Sequence, residues 1–384
     1  MNTKRLMDTF LDLISIYSPS LQERYVCDYL TQRLEELGFK VYEDLVGEQI
    51  GGNSGNLYGY LEGDESLEPL LFCAHMDTVE PARGKKVIMH DDGMITSDGK
   101  TILGSDALSG VSAILEAITT IKEDNNNHRP IEVLFCVAEE IYGLGSKFFD
   151  YSVIKSKESY TLDLSGDVGS AAFKAPSLLT FDLIIEGKSG HSNFKSHNTI
   201  NAIIVACNAV SQLKIGKIDT RSTLNIGLIQ GGRAPNIIPD HCAVKGEIRS
   251  FSNDETYVLL DDVIKLFKRV TEEYGAKLEV SHEMHIEAYE TPLNHPVVMR
   301  FQEICEKLDI PCKLCSTFGG SDNNNIEQHG IKGLVLASAM NSCHSNDEYT
   351  SVSELERITE VTIELMKGEI KKPRKLNSYN IQAH

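Results

Sequence analysis

The chain has 384 residues, 41% of them hydrophobic and 24% charged, a length that suits two domains and a composition that can build a sizeable core. Its 37 Lys and Arg stand against 56 Asp and Glu, a formal net charge of −19. That balance repels nucleic-acid phosphates and anionic membrane surfaces, so neither is expected as a partner.

In chain order, residues 3–15 read as a polar amphipathic helix, stopped by Ser18-Pro19-Ser20. Ser20-Leu21-Gln22-Glu23 matches a capping box for a second helix, with Tyr25, Leu30, Leu34 and Leu37 on its apolar side and Gly38 at its end. Strands follow at 39–42 and 56–61. Residues 70–74 are apolar throughout, as a strand covered on both faces must be. A helix begins just after Asp106 and includes 114–121; 131–138 is another buried strand and 159–164 a shorter one. Strands alternating with helices predict an α/β sheet, with ligands beyond the C-terminal strand ends.

The order changes near Ala175-Pro176. Strands at 179–185, 222–229, 242–249 and 277–281, with helices at 199–213 and 254–274, predict a small α+β sandwich. Pro292-Leu293-Asn294-His295-Pro296 marks the return to α/β order, so the second domain is inserted in the first. The stretch from Lys371 is polar, basic and expected to fray. The N-terminus has no signal-peptide block, and no run approaches the ~20 apolar residues of a membrane span. Nine cysteines, scattered and mostly inside apolar strand-like runs (Cys73, Cys136, Cys207), suit a reducing compartment, and a cytoplasmic location is expected. Cys312 and Cys315 have redox spacing but sit in a strand-like segment, without the helix N-terminus that would activate a thiol.

Acidic and histidine residues cluster where apolar runs end: His75 and Asp77, Asp106, Glu139-Glu140, Asp163, then His344 followed by Glu348. Divalent metals that activate water take imidazole and carboxylate ligands, and one carboxylate can bridge two ions. Two residues apart on a strand, His75 and Asp77 point the same way, so the Asp77 carboxylate is placed to orient His75. Asp106 could equally be a helix N-cap. Adjacent carboxylates at 139 and 140 would raise each other's pKa without a cation; the useful division is one metal ligand and one proton acceptor. Singly, each residue has a bland structural reading. Together they predict a two-metal hydrolase.

Four segments resemble zinc-dependent exopeptidases related to peptidase T, carboxypeptidase G2 and aminoacylase. Phe72-Cys73-Ala74-His75-Met76-Asp77-Thr78-Val79 resembles the first metal motif of that superfamily. Asp98-Gly99-Lys100 through Leu103-Gly104-Ser105-Asp106 resembles the second, in its peptidase T form. Ala138-Glu139-Glu140-Ile141-Tyr142-Gly143 resembles the general-base motif, and Gly319-Gly320-Ser321-Asp322 with His344 to Glu348 the closing segment. The likeness runs over essentially the whole chain. It implies a zinc-exopeptidase catalytic domain, residues 1–175 and 288–384, interrupted by a ferredoxin-like lid or dimerisation domain at 176–287.

By the same resemblance, His75 and Asp163 bind one zinc, Glu140 and His344 the other, and Asp106 bridges them. Glu139 is then the general base and Asp77 the support of His75. In the insert, Gly190-His191-Ser192 and Asn201-Ala202-Ile203 resemble the dimerisation-domain motif, which implies that His191 polarises the scissile carbonyl and that Asn236 and Arg249 grip the substrate. Two departures stand out. Ala107 follows the bridging aspartate, where relatives close to peptidase T often have Asp, at a bond that is cis in relatives. Residues 193–199 lack the proline and glycine that usually follow the histidine.

The expected function is a two-zinc aminopeptidase for short peptides such as tripeptides, with Co or Mn as alternatives to Zn and a homodimer formed through the lid. Asp163 supports it, because in this superfamily aspartate there tends to accompany aminopeptidases and glutamate carboxypeptidases and acylases. The alternative is an N-acyl amino acid deacylase or carboxypeptidase, with Arg249 reading a terminal carboxylate. A metal-binding protein without catalysis is disfavoured, since the base and all five ligand positions are present.

Overall fold

The computed structural model describes residues 1–192 and 199–368. Of the stretch 193–199 only Thr199 is therefore described, and the basic tail from Lys371 lies outside the described residues. The architecture is mixed α/β, as the element order predicts, and comprises two compact units. One contains Met1–Lys174, Glu290–Thr317 and the described part of Ser321–His384; the other contains Ala175–Tyr289 with Phe318–Gly320.

Four parallel strands form the centre of the first unit's sheet, in the order Ile131–Cys136, Leu70–His75, Glu158–Leu164, Lys332–Ala337. Leu57–Leu61 and then Lys40–Glu43 extend it antiparallel on one side, and Ser170–Ala175 on the other. Side chains alternate between two cores. Leu70, Phe72, Ala74, Ile131, Val133 and Phe135 join the helices Thr3–Ser15, Ser105–Glu123 and Val352–Met366. Leu71, Cys73, Leu134 and Cys136 meet Phe149, Tyr151 and Ile326 on the other face. Double coverage is why these strands read as unbroken apolar runs, and each fully buried Phe there is worth about 1.5–3 kcal/mol over exposure.

The first helix occupies Thr3–Ser15 as expected and buries Leu6, Phe10, Leu13 and Ile14; the Asn2 side chain caps it by accepting from Arg5 N at 3.1 Å. The second, Arg24–Glu36, differs from the sequence reading in two ways. Tyr25 is 73% exposed, while Val26, Cys27, Leu30 and Leu34 are buried. Its inward face is one residue, ~100° of helix, round from Tyr25. The capping box does not form either: neither Ser20 nor Glu23 caps this helix through its side chain, because both are engaged at the centre described below.

The inserted unit is a five-stranded antiparallel sheet, ordered Gly216–Lys217, Ser222–Gly231, His241–Ser250, Ser177–Glu186, Lys277–Ile286. Alternate residues Leu179, Phe181, Leu183 and Ile185 form a core with Val205 and Phe267 of the helices Ala202–Val210 and Asn253–Tyr274. This is the α+β unit that the sequence predicts. Cys207 lies exposed on the first of those helices and not in a buried strand; all nine cysteines are free thiols. Cys315 lies on the strand Lys313–Ser316. Among the described residues no helix is long and apolar enough to cross a membrane.

Candidate metal centre

Because the four central strands are parallel, they end at one edge of the sheet, and each supplies an acidic or histidine side chain there. His75 is the last residue of Leu70–His75, and Asp163 the last but one of Glu158–Leu164. Glu139 and Glu140 follow Ile131–Cys136, and His344 sits in the turn after Lys332–Ala337. Asp106 comes from the first turn of Ser105–Glu123. The peptide bond from Asp106 to Ala107 is cis, as in the family that the sequence resembles. Ala138 and His344 both adopt left-handed backbone, with φ of 54° and 61°. Non-glycine residues hold that conformation only where their surroundings impose it.

His75 Nε2 lies 3.1 Å from Asp106 Oδ1 and 3.5 Å from Asp163 Oδ1. His344 Nε2 lies 2.8 Å from Glu140 Oε2 and 3.3 Å from Asp106 Oδ2. Asp106 therefore turns one oxygen toward each histidine. Ligands held ~2.0–2.1 Å from one tetrahedral ion are roughly 3.3 Å from each other, so these separations suit shared metal coordination. His75, Asp106 and Glu140 form one group of potential ligands, and His75, Glu139 and Asp163 a second. Among the described residues Glu140 Oε1 is buried without a hydrogen-bond partner, an acceptor that a cation would satisfy.

The electrostatics fit a cation as well. Burial, followed by the charge of Asp163, pushes the Glu139 carboxyl well above its usual range. Burial also raises Glu140, against the opposing pull of His344. It pushes Asp163 up to about 8 despite the pairing with His75, the charges of Asp106 and Asp322 adding to the rise. Burial disfavours the His75 imidazolium, yet Asp106, Asp163 and Asp77 together hold it well above its ordinary value. Hydrogen bonds to Asp106 and Glu140 lift His344 to about 10. Carboxylates that raise one another in this way are relieved by divalent cations between them.

Three further carboxylates hold the backbone of the centre. Asp77 is fully buried; it accepts from Glu139 N at 3.0 Å, Glu140 N at 3.1 Å and Ser20 Oγ at 2.7 Å. His75 Nδ1 meets the Asp77 carbonyl oxygen at 2.8 Å, with the carboxylate farther away at 3.4 Å. The strand ends at His75, so the expected side-by-side orientation gives way to a main-chain contact that makes Nδ1 the donor and leaves Nε2 for a metal. Glu23 Oε1 accepts from Leu21 N at 2.8 Å and Ala138 N at 3.0 Å. Burial and then the Asp77 charge push the Glu23 carboxyl up to about 7. Glu348 accepts from Leu103 N at 2.7 Å, Gly104 N at 2.8 Å, Ser105 Oγ at 2.7 Å and Asp106 N at 3.0 Å. Glu348, and not Asp106, satisfies this helix N-terminus, which leaves the Asp106 carboxylate for the histidines.

The structure thus brings together Asp77, His75, Asp106, Glu139, Glu140, Asp163 and His344. The other three candidates lie in the inserted unit. His191 pairs with Ile237 in a short antiparallel ladder, and Asn236 accepts from Ser192 N at 3.2 Å. Arg249 is on His241–Ser250, its Nε 2.6 Å from Glu247 Oε1 and its Nη1 donating to the Phe318 carbonyl at 2.8 Å. Glu23, Glu348 and Asp322 have no individual role in the sequence reading. Asp322 is buried and accepts from Ser146 Oγ at 2.5 Å; with Cys73 and Cys136 it forms a third group of ligand-type atoms, on the other face of the sheet. Only its place after Gly319-Gly320-Ser321 marked it in the sequence.

Residues 174–277 match the family model of a peptidase dimerisation domain, and residues 56–209 that of peptidase family M28. A tripeptidase from Staphylococcus aureus superimposes with a TM-score of 0.93 at 31% identity, covering 96% of this chain and 98% of that one. The aminopeptidase PepT of Bacillus cereus gives 0.89 at 32% identity, covering 95% and 98%. The uncharacterised protein YqjE of Bacillus subtilis is 32% identical over 95% of this chain and 98% of its own. Fold and centre are those of a metal-dependent peptidase. The chain belongs to the peptidase T-like group of the M20 peptidase family.

Proposed function

We propose that this M20 peptidase is a cytoplasmic two-zinc aminopeptidase that releases the N-terminal residue of short peptides, tripeptides among them. The observation that carries the reading is Asp106, whose oxygens lie 3.1 Å from His75 and 3.3 Å from His344, as a carboxylate bridging two ions requires. His75 and Asp163 would hold one ion, Glu140 and His344 the other. Zn is the expected metal for this mixed nitrogen and oxygen set, with Co or Mn able to replace it. The tripeptidase and aminopeptidase activities named for the two solved structures at 31% and 32% identity support the substrate class.

When bound, the ions would supply an activated water and a polarised carbonyl. Glu139 accepts the water's proton on its carboxylate and later gives it to the departing amine, the two proton transfers of a general base. His75, Asp163 and Glu139 lie within one group, so distance alone would also allow Glu139 as a ligand. What favours the base role is that Asp106, Asp163, Glu140 and the two histidines already supply a complete set. Asp77 fixes the main chain of both glutamates. For His191 we carry over the polarising of the scissile carbonyl, and for Asn236 and Arg249 contacts to the substrate. The Arg249 guanidinium is already engaged by Glu247, which weakens it as an anchor for a terminal carboxylate and disfavours the deacylase or carboxypeptidase alternative.

The test is turnover of a free tripeptide beside its N-acetylated form, with metal-loaded enzyme and a chelated control. Metal-dependent cleavage of the free peptide alone is expected; preference for the acetylated form would move the protein to the alternative branch. A homodimer through the inserted unit is supported by the dimerisation-domain match and by Leu228 and Ile229, 45% and 47% exposed on Ser222–Gly231. Beyond Leu224 that strand has no partner on its outer side among the described residues. Sedimentation of wild type and Ile229→Asp should give a dimer and a monomer; an unchanged monomeric wild type would refute it.

A further inference from the structure

We infer that Glu23 is a positioning residue for the catalytic base, holding the main chain of the Ala138–Glu140 turn through its buried carboxylate. The inference rests on the assignment of Glu139 as base.

Three successive amides, those of Ala138, Glu139 and Glu140, donate to carboxylates: the first to Glu23 Oε1 at 3.0 Å, the next two to Asp77 Oδ1 and Oδ2 at 3.0 and 3.1 Å. Convergent N–H groups of this kind form a nest for an anion, and here two of the protein's own carboxylates fill it. The turn begins at Ala138 in the left-handed region, φ 54°, a conformation that an alanine keeps only when held. The Glu23 bond acts at that residue. The same Glu23 oxygen accepts from Leu21 N at 2.8 Å, and Ser20 Oγ donates to Asp77 at 2.7 Å, so the short segment before the second helix reaches both carboxylates. The segment is itself tied down: Thr78 N donates to the Ser18 carbonyl at 2.9 Å and Asn53 N to the Leu21 carbonyl at 3.2 Å.

A wholly buried carboxylate without a cationic partner, as Glu23 is among the described residues, is a poor stabiliser; an apolar side chain of similar size would serve packing better. Its value lies in the aim of the bond to Ala138. Misplacing the turn would displace the Glu139 carboxylate, and Glu140 with it, while leaving the ligands His75, Asp106, Asp163 and His344 on their own elements.

The experiment compares Glu23→Leu, Glu23→Asp and Glu23→Gln with Glu139→Gln, on metal-loaded full-length enzyme and the free tripeptide. Metal content and the thermal midpoint are measured alongside kcat and KM. Glu23→Leu removes the acceptor, and Glu23→Asp keeps the charge but draws the oxygen away. Both should lose about 10- to 100-fold in kcat, the usual effect of outer partners in metal sites, with KM within about threefold and, at saturating metal, full metal content despite weaker binding through Glu140. Glu23→Gln keeps an oxygen for the two amides and should recover most of the activity. Wild-type kcat in Glu23→Asp, a loss confined to KM or metal content, or a Gln variant no better than Asp would overturn the inference; the Asp variant decides it if Leu fails to fold. Glu139→Gln separates the two readings. If it is inactive while Glu23→Asp is normal, only the role of Glu23 falls; if it remains active, the base assignment falls first.

Discussion

Replacing Glu348 with glutamine keeps the shape of the side chain and removes half of its accepting capacity. Its two oxygens serve four donors, Oε2 the amides of Leu103 and Gly104, Oε1 the Ser105 hydroxyl and the Asp106 amide, in a site 1% exposed. The new NH2 group can face only one of these pairs. Facing Leu103 and Gly104 it orphans two amides, each costing about 1–3 kcal/mol when buried. Facing Ser105 and Asp106 it orphans one, since the hydroxyl can turn and accept. The second arrangement wins, and with the loss of charge at the remaining two bonds the cost is about 2–4 kcal/mol. Hydrogen exchange over 103–106 in the metal-free protein reads this directly, because local opening sets the rate. At about 1.4 kcal/mol per tenfold, protection should fall roughly 30- to 700-fold. Metal affinity should fall by about 10- to 100-fold as Asp106 loses its support. Exchange that quickens less than about threefold would mean that other contacts hold the loop, and the account of Asp106 would have to be abandoned.

Other substitutions probe different parts of the centre. Glu139→Gln should cost about 10²- to 10⁴-fold in kcat with metal content near normal, measured by steady-state kinetics and elemental analysis; retained turnover removes the assigned base. Asp106→Asn should weaken both ions, by more than the ~10- to 100-fold that outer partners are worth, whereas Asp163→Asn should weaken one, as metal titration will distinguish. Gly110→Ala should lower the thermal midpoint. A Cβ there would lie 2.6 Å from the Leu162 carbonyl oxygen and 2.7 Å from Leu162 Cβ, and an overpacking cost of about 1–3 kcal/mol exceeds the ~1 kcal/mol that alanine gains in a helix. An unchanged or raised midpoint would show that the helix can shift away from the strand carrying Asp163.

What the sequence reveals here follows the range of the interactions. Strands 70–74 and 131–136 are legible because both faces are buried, though the apolar run carries the expected strand two residues too far, into the turn at Ala138; the histidine and acid cluster is legible because each member follows an apolar run. The helix Thr3–Ser15 is legible because its period and its ends are local signals. Ser20 to Glu23 misleads because the local spacing fits a capping box, while Asp77 and Ala138 compete for the same groups from 57 and 115 residues away. Tyr25 misleads because tyrosine suits a core or a surface, and only the neighbouring sheet decides which side of the helix turns inward. Glu348 is visible as a motif member, but its partners lie 242 to 245 residues upstream, beyond the reach of any periodicity. Asp106 is ambiguous in the sequence for the same reason: whether it caps its helix depends on a carboxylate supplied from elsewhere.

That separation also sets when a growing chain can become an enzyme. His344 and Glu348 follow Asp106 by 238 and 242 residues, and the strand Lys332–Ala337 must add to Glu158–Leu164 before their loop has a foundation. At about 5–20 residues per second of synthesis, Asp106 waits roughly 12–50 s for His344. Until then the cluster lacks His344, and Asp106 lacks the carboxylate of Glu348. A centre arranged in this way cannot assemble before residues 344 to 348 have been made.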